Sequence, residues 1–181
     1  MDLIIRPIRE SDAQDYVRLM EQIERETQYG KFEPGERIPS VEFYTSKIQQ
    51  VRADEYDEIF LAILDGQLIG RAKAEGKPSR KSGHCLYLSA CVIYRLQRQG
   101  VGESLVREAE EWAKQKGITR IETSVVSQNR TGVQFWRKMG YQIEGTRRNA
   151  FCLFEEMMDE YLMAKVEPVG VRVDGWKFPR W

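Results

Sequence analysis

Two glycines one residue apart are the clearest sign of chemistry in this sequence. Gly100 and Gly102 follow Gln97 in the run QRQGVGESLV, where an amphipathic helix begins. A glycine in a helix lowers the stability of the helix by roughly 1 kcal/mol relative to alanine, so the two glycines must serve another purpose here. Glycines at a strand-to-helix junction let backbone N–H groups converge on an anion, which the helix dipole also favours. We therefore expect a phosphate site, most simply for a pyrophosphate.

The spacing of these glycines excludes two familiar phosphate-binding motifs. The sequence has no G-x-x-x-x-G-K-[ST], so the junction is not a P-loop. Leu105 stands where the third glycine of G-x-G-x-x-G is required, so the dinucleotide fingerprint fails as well. On these residues alone, a tight turn without a ligand stays the alternative.

Composition is that of a soluble globular protein. Of the 181 residues, 41% are hydrophobic and 31% are charged, with 28 basic and 28 acidic side chains. This balance gives no global field that would attract nucleic acid or an anionic membrane. No apolar run approaches the roughly 20 residues of a membrane span. The N-terminal run MDLIIRPIRE lacks the apolar core of a signal peptide, so we expect a cytoplasmic location.

Cysteine and histidine are too scarce for several other classes. Cys85, Cys91 and Cys152 are too few for a disulfide framework, and His84 is the single histidine. No Cys/His pair has zinc-like spacing, so we predict no metal. The sequence also lacks the G-x-S-x-G elbow that would support a Ser-His-Asp hydrolase.

Hydrophobic periodicity predicts a mixed α/β fold. The expected order is a strand, two helices, a three-strand meander, a helix, a strand, a helix and two strands. The predicted strands are 3–8, 58–64, 67–75, 84–93, 120–126, 141–149 and 156–166. Asp65-Gly66 predicts a hairpin turn, and the strand-helix-strand unit around 84–126 predicts a parallel pair. We expect one domain at residues 1–166 and an aromatic-containing tail at residues 167–181.

The residues around the glycine junction resemble a known superfamily. Val92 precedes Gln97 by five residues, and NRTGVQFWRKMGY follows the next strand from Asn129 and leads into EGTRRN. This arrangement resembles the GNAT superfamily of acyl-CoA-dependent N-acetyltransferases. Within that superfamily it is most similar to the ribosomal-protein and peptide N-terminal acetyltransferases. The resemblance is specific from Val92 to Asn149. It implies a central, mostly antiparallel sheet with one splayed parallel strand pair, flanked by helices.

The resemblance also implies how acetyl-CoA, the co-substrate, is held. Backbone groups of Ala90, Cys91 and Val92 would bond the pantetheine arm as an added strand. Asn129 would contact the same arm. The pyrophosphate would lie against the junction, whose expected contact residues are Gln97, Arg98, Gln99, Gly100, Val101, Gly102 and Glu103.

The sequence departs from its relatives at the expected general acid. The family often has a tyrosine seven residues after the asparagine, and this chain has Trp136. An indole N–H donates a hydrogen bond but does not release its proton. Three alternatives follow. Trp136 would only contact the sulfur of the cofactor, or another residue such as Tyr141 or Tyr87 would be the acid. In the third alternative the chain would bind acyl-CoA without catalysing transfer.

The general base is equally open. The carboxylate that some relatives use aligns with Ser124, and Glu122 lies two residues earlier on the same strand face. Glu33, Glu36 and Glu75 are the carboxylates that we expect near the acceptor. As a group they indicate a cationic acceptor.

Two functional hypotheses follow. The first is an acetyl-CoA-dependent N-acetyltransferase that moves an acetyl group to a primary amine, in a small molecule or a peptide, by direct transfer in a ternary complex. The alternative is a catalytically degenerate acyl-CoA-binding sensor or interaction module. The aromatic residues of the tail at 167–181 would dock on the domain, seal a homodimer or cover the acceptor groove, or the tail would be disordered. Each of these is compatible with either hypothesis.

Overall fold

The elements follow the predicted order along the chain. The computed structural model describes residues 2–30, 32–33, 35–36, 40–77, 79 and 81–167. The helices and strands are β1 (Leu3–Pro7), α1 (Ala13–Glu26), α2 (Val41–Ala53), β2 (Glu58–Leu64), β3 (Gln67–Gly76), β4 (Cys85–Val92), α3 (Val101–Gln115), β5 (Arg120–Val126), α4 (Arg130–Lys138), β6 (Gln142–Leu153) and β7 (Glu156–Val166). Most of the predicted tail lies outside the described residues.

All seven strands join one sheet in the order β1-β2-β3-β4-β5-β7-β6. β4 and β5 are parallel, with Cys85 opposite Arg120 and Tyr87 opposite Glu122. This ladder has three residue pairs, although β5 continues to Val126. The other neighbouring strands are antiparallel. The predicted fold class, with its single parallel pair in a mostly antiparallel sheet, is confirmed.

The chain forms two compact units. The first comprises the chain up to Glu75 together with Ala90–Glu111, and the second comprises Gly76–Ser89 together with the chain from Trp112 on. Among the described residues, no helix is long and apolar enough to cross a membrane.

The core of the first unit is built on β2 and helix α1. Phe60 and Leu61 are neighbours in β2 and therefore point to opposite faces, yet both are buried. Both faces of β2 are therefore packed against other parts of the first unit. In α1, Tyr16, Leu19 and Ile23 recur at helical spacing and are buried, which is the stripe that the periodicity predicts.

β5 separates a core face from a polar face in the second unit. Ile121, Thr123 and Val125 are buried, whereas the alternate residues Glu122 and Ser124 are half-buried. Period-two alternation of this kind places apolar side chains on one face and leaves polar chemistry for the other.

The β6–β7 hairpin differs from the sequence prediction. We expected β6 to end at Asn149, but it continues to Leu153. A two-residue turn at Phe154 and Glu155 connects it to β7, and both residues have positive φ, 50° and 64°. Such turns favour Asn and Gly, so a Phe-Glu pair carries no turn signal in the sequence.

An ion pair before α1 makes folding depend on pH. Two Arg6 nitrogens donate to the two carboxylate oxygens of Asp12, at 2.7 and 2.8 Å, and the Arg9 N–H donates to Asp12 Oδ2 at 2.8 Å. The hydrogen bond from Arg6 holds the pKa of Asp12 below its ordinary value. Because the folded-state pKa is lowered, the stabilisation is present at neutral pH and is lost as the pH falls through that pKa.

We predict that Asp12→Asn lowers the free energy of unfolding at pH 7 by about 1 kcal/mol. The loss relative to wild type should shrink when urea unfolding is repeated at pH values below about 4, where the unfolded chain binds a proton at Asp12, and should vanish below the lowered folded-state pKa. Asp15→Asn is the matched control, because Asp15 forms an exposed pair with Arg18 that contributes little. Equal losses for the two variants would contradict this role of Asp12.

Candidate active site

A glycine in β3 sets how closely β3 and β4 approach in the first unit. A Cβ on Gly70 would lie 2.8 Å from the carbonyl oxygen of Cys91 and 3.1 Å from Val92 Cγ2. The Ile93 N–H donates to the Ile69 carbonyl at 2.9 Å at the same place. Only glycine allows this approach. The sequence analysis did not select Gly70, although a glycine inside a strand pattern is itself a signal of close backbone approach.

The segment after β4 folds back on the strand. A short 3-10 turn, Tyr94–Leu96, follows β4. Gln97 Nε2 then donates to the Val92 carbonyl at 3.0 Å, and Gln99 Nε2 donates to the Arg95 carbonyl at 3.1 Å. The first of these bonds brings together two residues that the sequence analysis had placed in one site.

The glycine junction has the backbone shape of an anion site. Arg98 and Gly100 both have positive φ, 61° and 86°, and a Cβ on Gly100 would meet nothing within 4 Å. Ser104 N–H donates to the Gly100 carbonyl at 3.0 Å, which begins the bonding of α3. Earlier N–H groups in a helix have no acceptor within the helix. Residues that alternate between left- and right-handed backbone form concave sets of N–H groups, so this exposed junction suits a phosphate.

The predicted pantetheine-binding residues form the end of β4. Ala90, Cys91 and Val92 are half-buried. They are followed directly by the turn and the glycine junction, so the strand end and the junction form one continuous segment of the first unit.

Two of the three carboxylates predicted for the acceptor, those of Glu36 and Glu75, have protein partners. Glu75 accepts from Lys73 Nζ at 2.6 Å. The carboxylate of Glu36 accepts from the backbone N–H of Glu33 at 2.8 Å, within the α1–α2 loop. These contacts are compatible with an acceptor role, which stays a prediction.

Glu122, the predicted base, lies in a row of charges in the second unit. It accepts from Lys77 Nζ at 2.6 Å and from Arg120 Nε at 2.7 Å. Arg120 also donates to both carboxylate oxygens of Glu144. Burial alone would raise the pKa of Glu122, but the hydrogen bonds from Lys77 and Arg120 outweigh it, so the pKa lies below its ordinary value. A carboxylate with a lowered pKa is a weaker base.

Two hydroxyl groups meet at the end of the parallel ladder. The phenol of Tyr87 and the hydroxyl of Ser124 are 2.8 Å apart, and either can be the donor. The sequence analysis named both residues but had no signal that would pair them, because they are 37 positions apart.

Trp136 and Tyr141, the two aromatic candidates, pack on each other. Their ring centroids are 4.7 Å apart at an interplanar angle of 68°, and Phe135 contacts Trp136 edge-on at 5.3 Å. Only 6% of Trp136 and 1% of Tyr141 is exposed. This packing supports a structural contribution from both rings, and their catalytic roles stay predictions.

Asn129 caps helix α4. Its Oδ1 accepts from the Gly132 N–H at 2.9 Å, as expected of an N-cap residue. A Cβ on Gly132 would lie 2.7 Å from Asn129 Nδ2, so the glycine makes room for the cap. The predicted contact of Asn129 with pantetheine is a separate role, which stays a prediction.

In the part of the chain that the structure describes, no group of three or more His, Cys, Asp or Glu residues could hold a metal ion. All three cysteines are free thiols.

The two roles of Asn129 are separable by substitution. We predict that Asn129→Ala lowers the free energy of unfolding by about 1 kcal/mol, because the cap is lost. Asn129→Asp should retain the cap, and hence the melting temperature, but lose the amide donor. If acetyl-CoA affinity measured by calorimetry falls in Asn129→Asp while stability holds, Asn129 contacts the ligand. An unchanged affinity would contradict that contact.

The chain is similar in sequence to two proteins named as N-acetyltransferases. It is 28% identical over 111 residues to the L-amino acid N-acetyltransferase AaaT of Escherichia coli (strain K12), a match that covers 59% of this chain and 67% of that protein. It is 30% identical over 110 residues to "Probable N-acetyltransferase 14" of Danio rerio, which covers 61% of this chain. The match spans only 38% of that second protein.

Solved structures share the fold over nearly the whole chain. A GNAT-family acetyltransferase from Streptococcus pneumoniae has a TM-score of 0.86 at 25% identity, covering 92% of this chain and 100% of its own. A ribosomal-protein-alanine N-acetyltransferase from Brucella melitensis has a TM-score of 0.80 at 20% identity, covering 90% and 99%. A phosphinothricin acetyltransferase from Sinorhizobium meliloti, in complex with acetyl-CoA, has a TM-score of 0.81 at 14% identity, covering 94% and 91%.

These findings confirm the superfamily and the enzyme class that the sequence predicts. A sequence profile described as the acetyltransferase (GNAT) domain matches residues 5–162. Because this match extends over most of its length, the chain belongs to the acetyltransferase (GNAT) family.

Proposed function

We propose that this chain transfers the acetyl group of acetyl-CoA to a primary amine. The observation that carries the proposal is the junction before α3, where Arg98 and Gly100 have left-handed backbone and Gly100 has open space around its Cα. In this proposal the junction binds the pyrophosphate of the coenzyme through backbone N–H groups from Arg98 to Glu103.

The pantetheine arm is proposed to lie along Ala90–Val92 as an added strand. Backbone groups of a strand are obligatory hydrogen-bonding groups, and an extended amide-containing ligand satisfies them. The bond from Gln97 to the Val92 carbonyl supports this arrangement, because it fixes the loop against the end of β4. Contacts from Asn129 and Trp136 remain predictions.

Direct transfer in a ternary complex accounts for the chemistry. A neutral amine attacks the thioester carbonyl, a C–N bond forms, and the oxyanion accepts a hydrogen bond from a backbone N–H beside Val92. Collapse breaks the C–S bond, and the proton lost by nitrogen ends on sulfur, directly or through water. An α-amine, with a pKa near ~8, needs less help from a base than a lysine-like amine near ~10.4.

Glu122 is not favoured as the general base. Its lowered pKa and its two cationic partners make it a poor proton acceptor at neutral pH. Glu33, Glu36 and Glu75 stay candidates near the acceptor. The acceptor screen begins with amino acids, because AaaT of Escherichia coli is named as an L-amino acid N-acetyltransferase, and includes peptides and polyamines.

A second function, acyl-CoA binding without catalysis, has one observation in its favour. Trp136 occupies the usual position of the acid, and its ring is buried against Tyr141 and Phe135. An acceptor screen that gives no turnover, from a protein that binds acetyl-CoA, would favour this alternative.

Calorimetric titration tests the shared requirement of both functions. We predict micromolar binding of acetyl-CoA and much weaker binding of S-acetylpantetheine, which lacks the pyrophosphate. Turnover would then be followed by thiol release with the amine screen. Equal affinity for the two ligands would exclude a phosphate site at the junction, and no binding of either would exclude both functions.

The junction itself has a matched control within the chain. Gly100 and Gly66 have almost the same φ, 86° and 83°, and open space around both. Alanine at either position should cost about 1–2 kcal/mol of folding stability, because a left-handed residue gains a Cβ. We predict that only Gly100→Ala weakens acetyl-CoA binding, since Gly66 belongs to the β2–β3 turn. Equal affinities for the two variants would contradict the proposed cradle.

A further inference from the structure

One face of β3 carries half-buried charged residues. Ala72 and Ala74 point to the other face and are completely buried. Arg71, Lys73 and Glu75 alternate with them and are only half-buried. Lys73 Nζ and Glu75 Oε1 are 2.6 Å apart, which shows that side chains on this face are in mutual contact. This face of β3 therefore carries polar side chains, and the Nε atom of Arg71 is buried within it.

Arg71 lies beside the end of β4. The bond from Ile93 N–H to the Ile69 carbonyl, 2.9 Å, sets the antiparallel pairing of β3 and β4. Two residues further along each strand, this pairing places Arg71 opposite Cys91. The missing Cβ of Gly70 brings the two strands together at the same point. Arg71 is thus adjacent to the strand end proposed to bind pantetheine.

Two phenols from the helices of the first unit lie near Arg71. Tyr16 in α1 and Tyr44 in α2 are buried, and their rings meet edge to face at 5.1 Å. Burial alone would lower the pKa of Arg71, but the Cys91 thiol, these two phenols and, more weakly, Glu75 act in the opposite direction and raise it. The guanidinium therefore stays charged.

The groups around this cation are suited to an anion. Cys91, Tyr16 and Tyr44 contribute a thiol and two phenols, which are polar groups, to the surroundings of the guanidinium. Glu75, the neighbouring carboxylate, is bonded to Lys73. A guanidinium fork matches the two oxygens of a carboxylate, and such a bond is stronger in a partly desolvated place than in water.

We propose that Arg71 binds a carboxylate on the acceptor, so that this protein acetylates amines that also carry a carboxylate. The inference rests on the proposed transferase function and adds the chemical class of the acceptor. A free amino acid and the C-terminus of a short peptide both supply this chemistry, and the experiment separates them.

The test uses sets of substrates that differ in the carboxylate, with kcat/KM calculated for the neutral amine because the amine pKa differs within each set. Wild-type protein is assayed with each L-amino acid, with its α-amide and with the corresponding decarboxylated amine. We expect kcat/KM to be at least about tenfold higher for the amino acid, because a charge-assisted bond is lost in the other two. Glycine-extended dipeptides of the best amino acid then distinguish a free amino acid from a peptide terminus.

Variants assign the effect to the guanidinium. Arg71→Gln should raise KM for the amino acid by about tenfold with a smaller change in kcat, and leave the decarboxylated amine unaffected. Arg71→Lys should restore part of the loss. Arg18→Gln is the control in the same unit, because Arg18 forms only an exposed pair with Asp15. Melting temperature and acetyl-CoA affinity show whether each variant is folded.

Three results would overturn the proposal. The first is a wild type that acetylates the decarboxylated amine as well as the amino acid, which requires no variant. The second is an Arg71→Gln protein that is folded and loses acetyl-CoA affinity, since the cation would then serve the coenzyme.

The third concerns a protein without turnover, which would count against the transferase function. Amino acids and their amides are then titrated into CoA-saturated protein by calorimetry. Binding that requires the carboxylate and is lost in Arg71→Gln supports the anion site, and its absence overturns it.

Discussion

The close approach of β3 to β4 at Gly70 is the constraint on which the first unit depends. A side chain at this position would meet the Cys91 carbonyl at 2.8 Å, so backbone contact here requires glycine. The approach positions the end of β4. It thereby positions the Val92 carbonyl, to which the Gln97 side chain donates. The glycine junction before α3 is positioned through this series of contacts. A loop with the right dihedral angles would be of little use if the strand that precedes it were not held in place.

The candidate acids and bases of the second unit are mostly engaged in the structure itself. Glu122 is neutralised by Lys77 and Arg120, and Trp136 and Tyr141 are packed ring against ring. A transferase with these residues would gain its rate mainly by positioning a neutral amine against the thioester, because holding two reactants in place removes much of the entropic barrier. The hydroxyl groups of Tyr87 and Ser124 form a polar contact at the end of the parallel ladder, which is not an ion pair.

Asn129 illustrates how one residue type can serve folding and binding together. An asparagine after β5 caps α4 through its Oδ1, and Gly132 is required so that the cap has room. Its Nδ2 group is the part of the side chain that a ligand could use. For this reason a family motif at such a position does not by itself distinguish a structural asparagine from a binding one.

Local features of the sequence determined most of the fold. Short runs rich in apolar residues predicted the bounds of β2, β5 and β7 to the residue, and Asp65-Gly66 predicted the hairpin turn, because both signals depend on neighbours along the chain. The Gln97–Gly102 junction was predictable for the same reason, since its shape follows from glycine's own backbone freedom. The Phe154–Glu155 turn was not, because it is imposed by pairing of β6 and β7. Only the tertiary structure decided that Gly70 touches Cys91, that Arg71 faces the end of β4, and that Glu122 is neutralised by a lysine 45 residues away. Such contacts join distant parts of the chain, and no local pattern encodes which half-buried polar residues will meet.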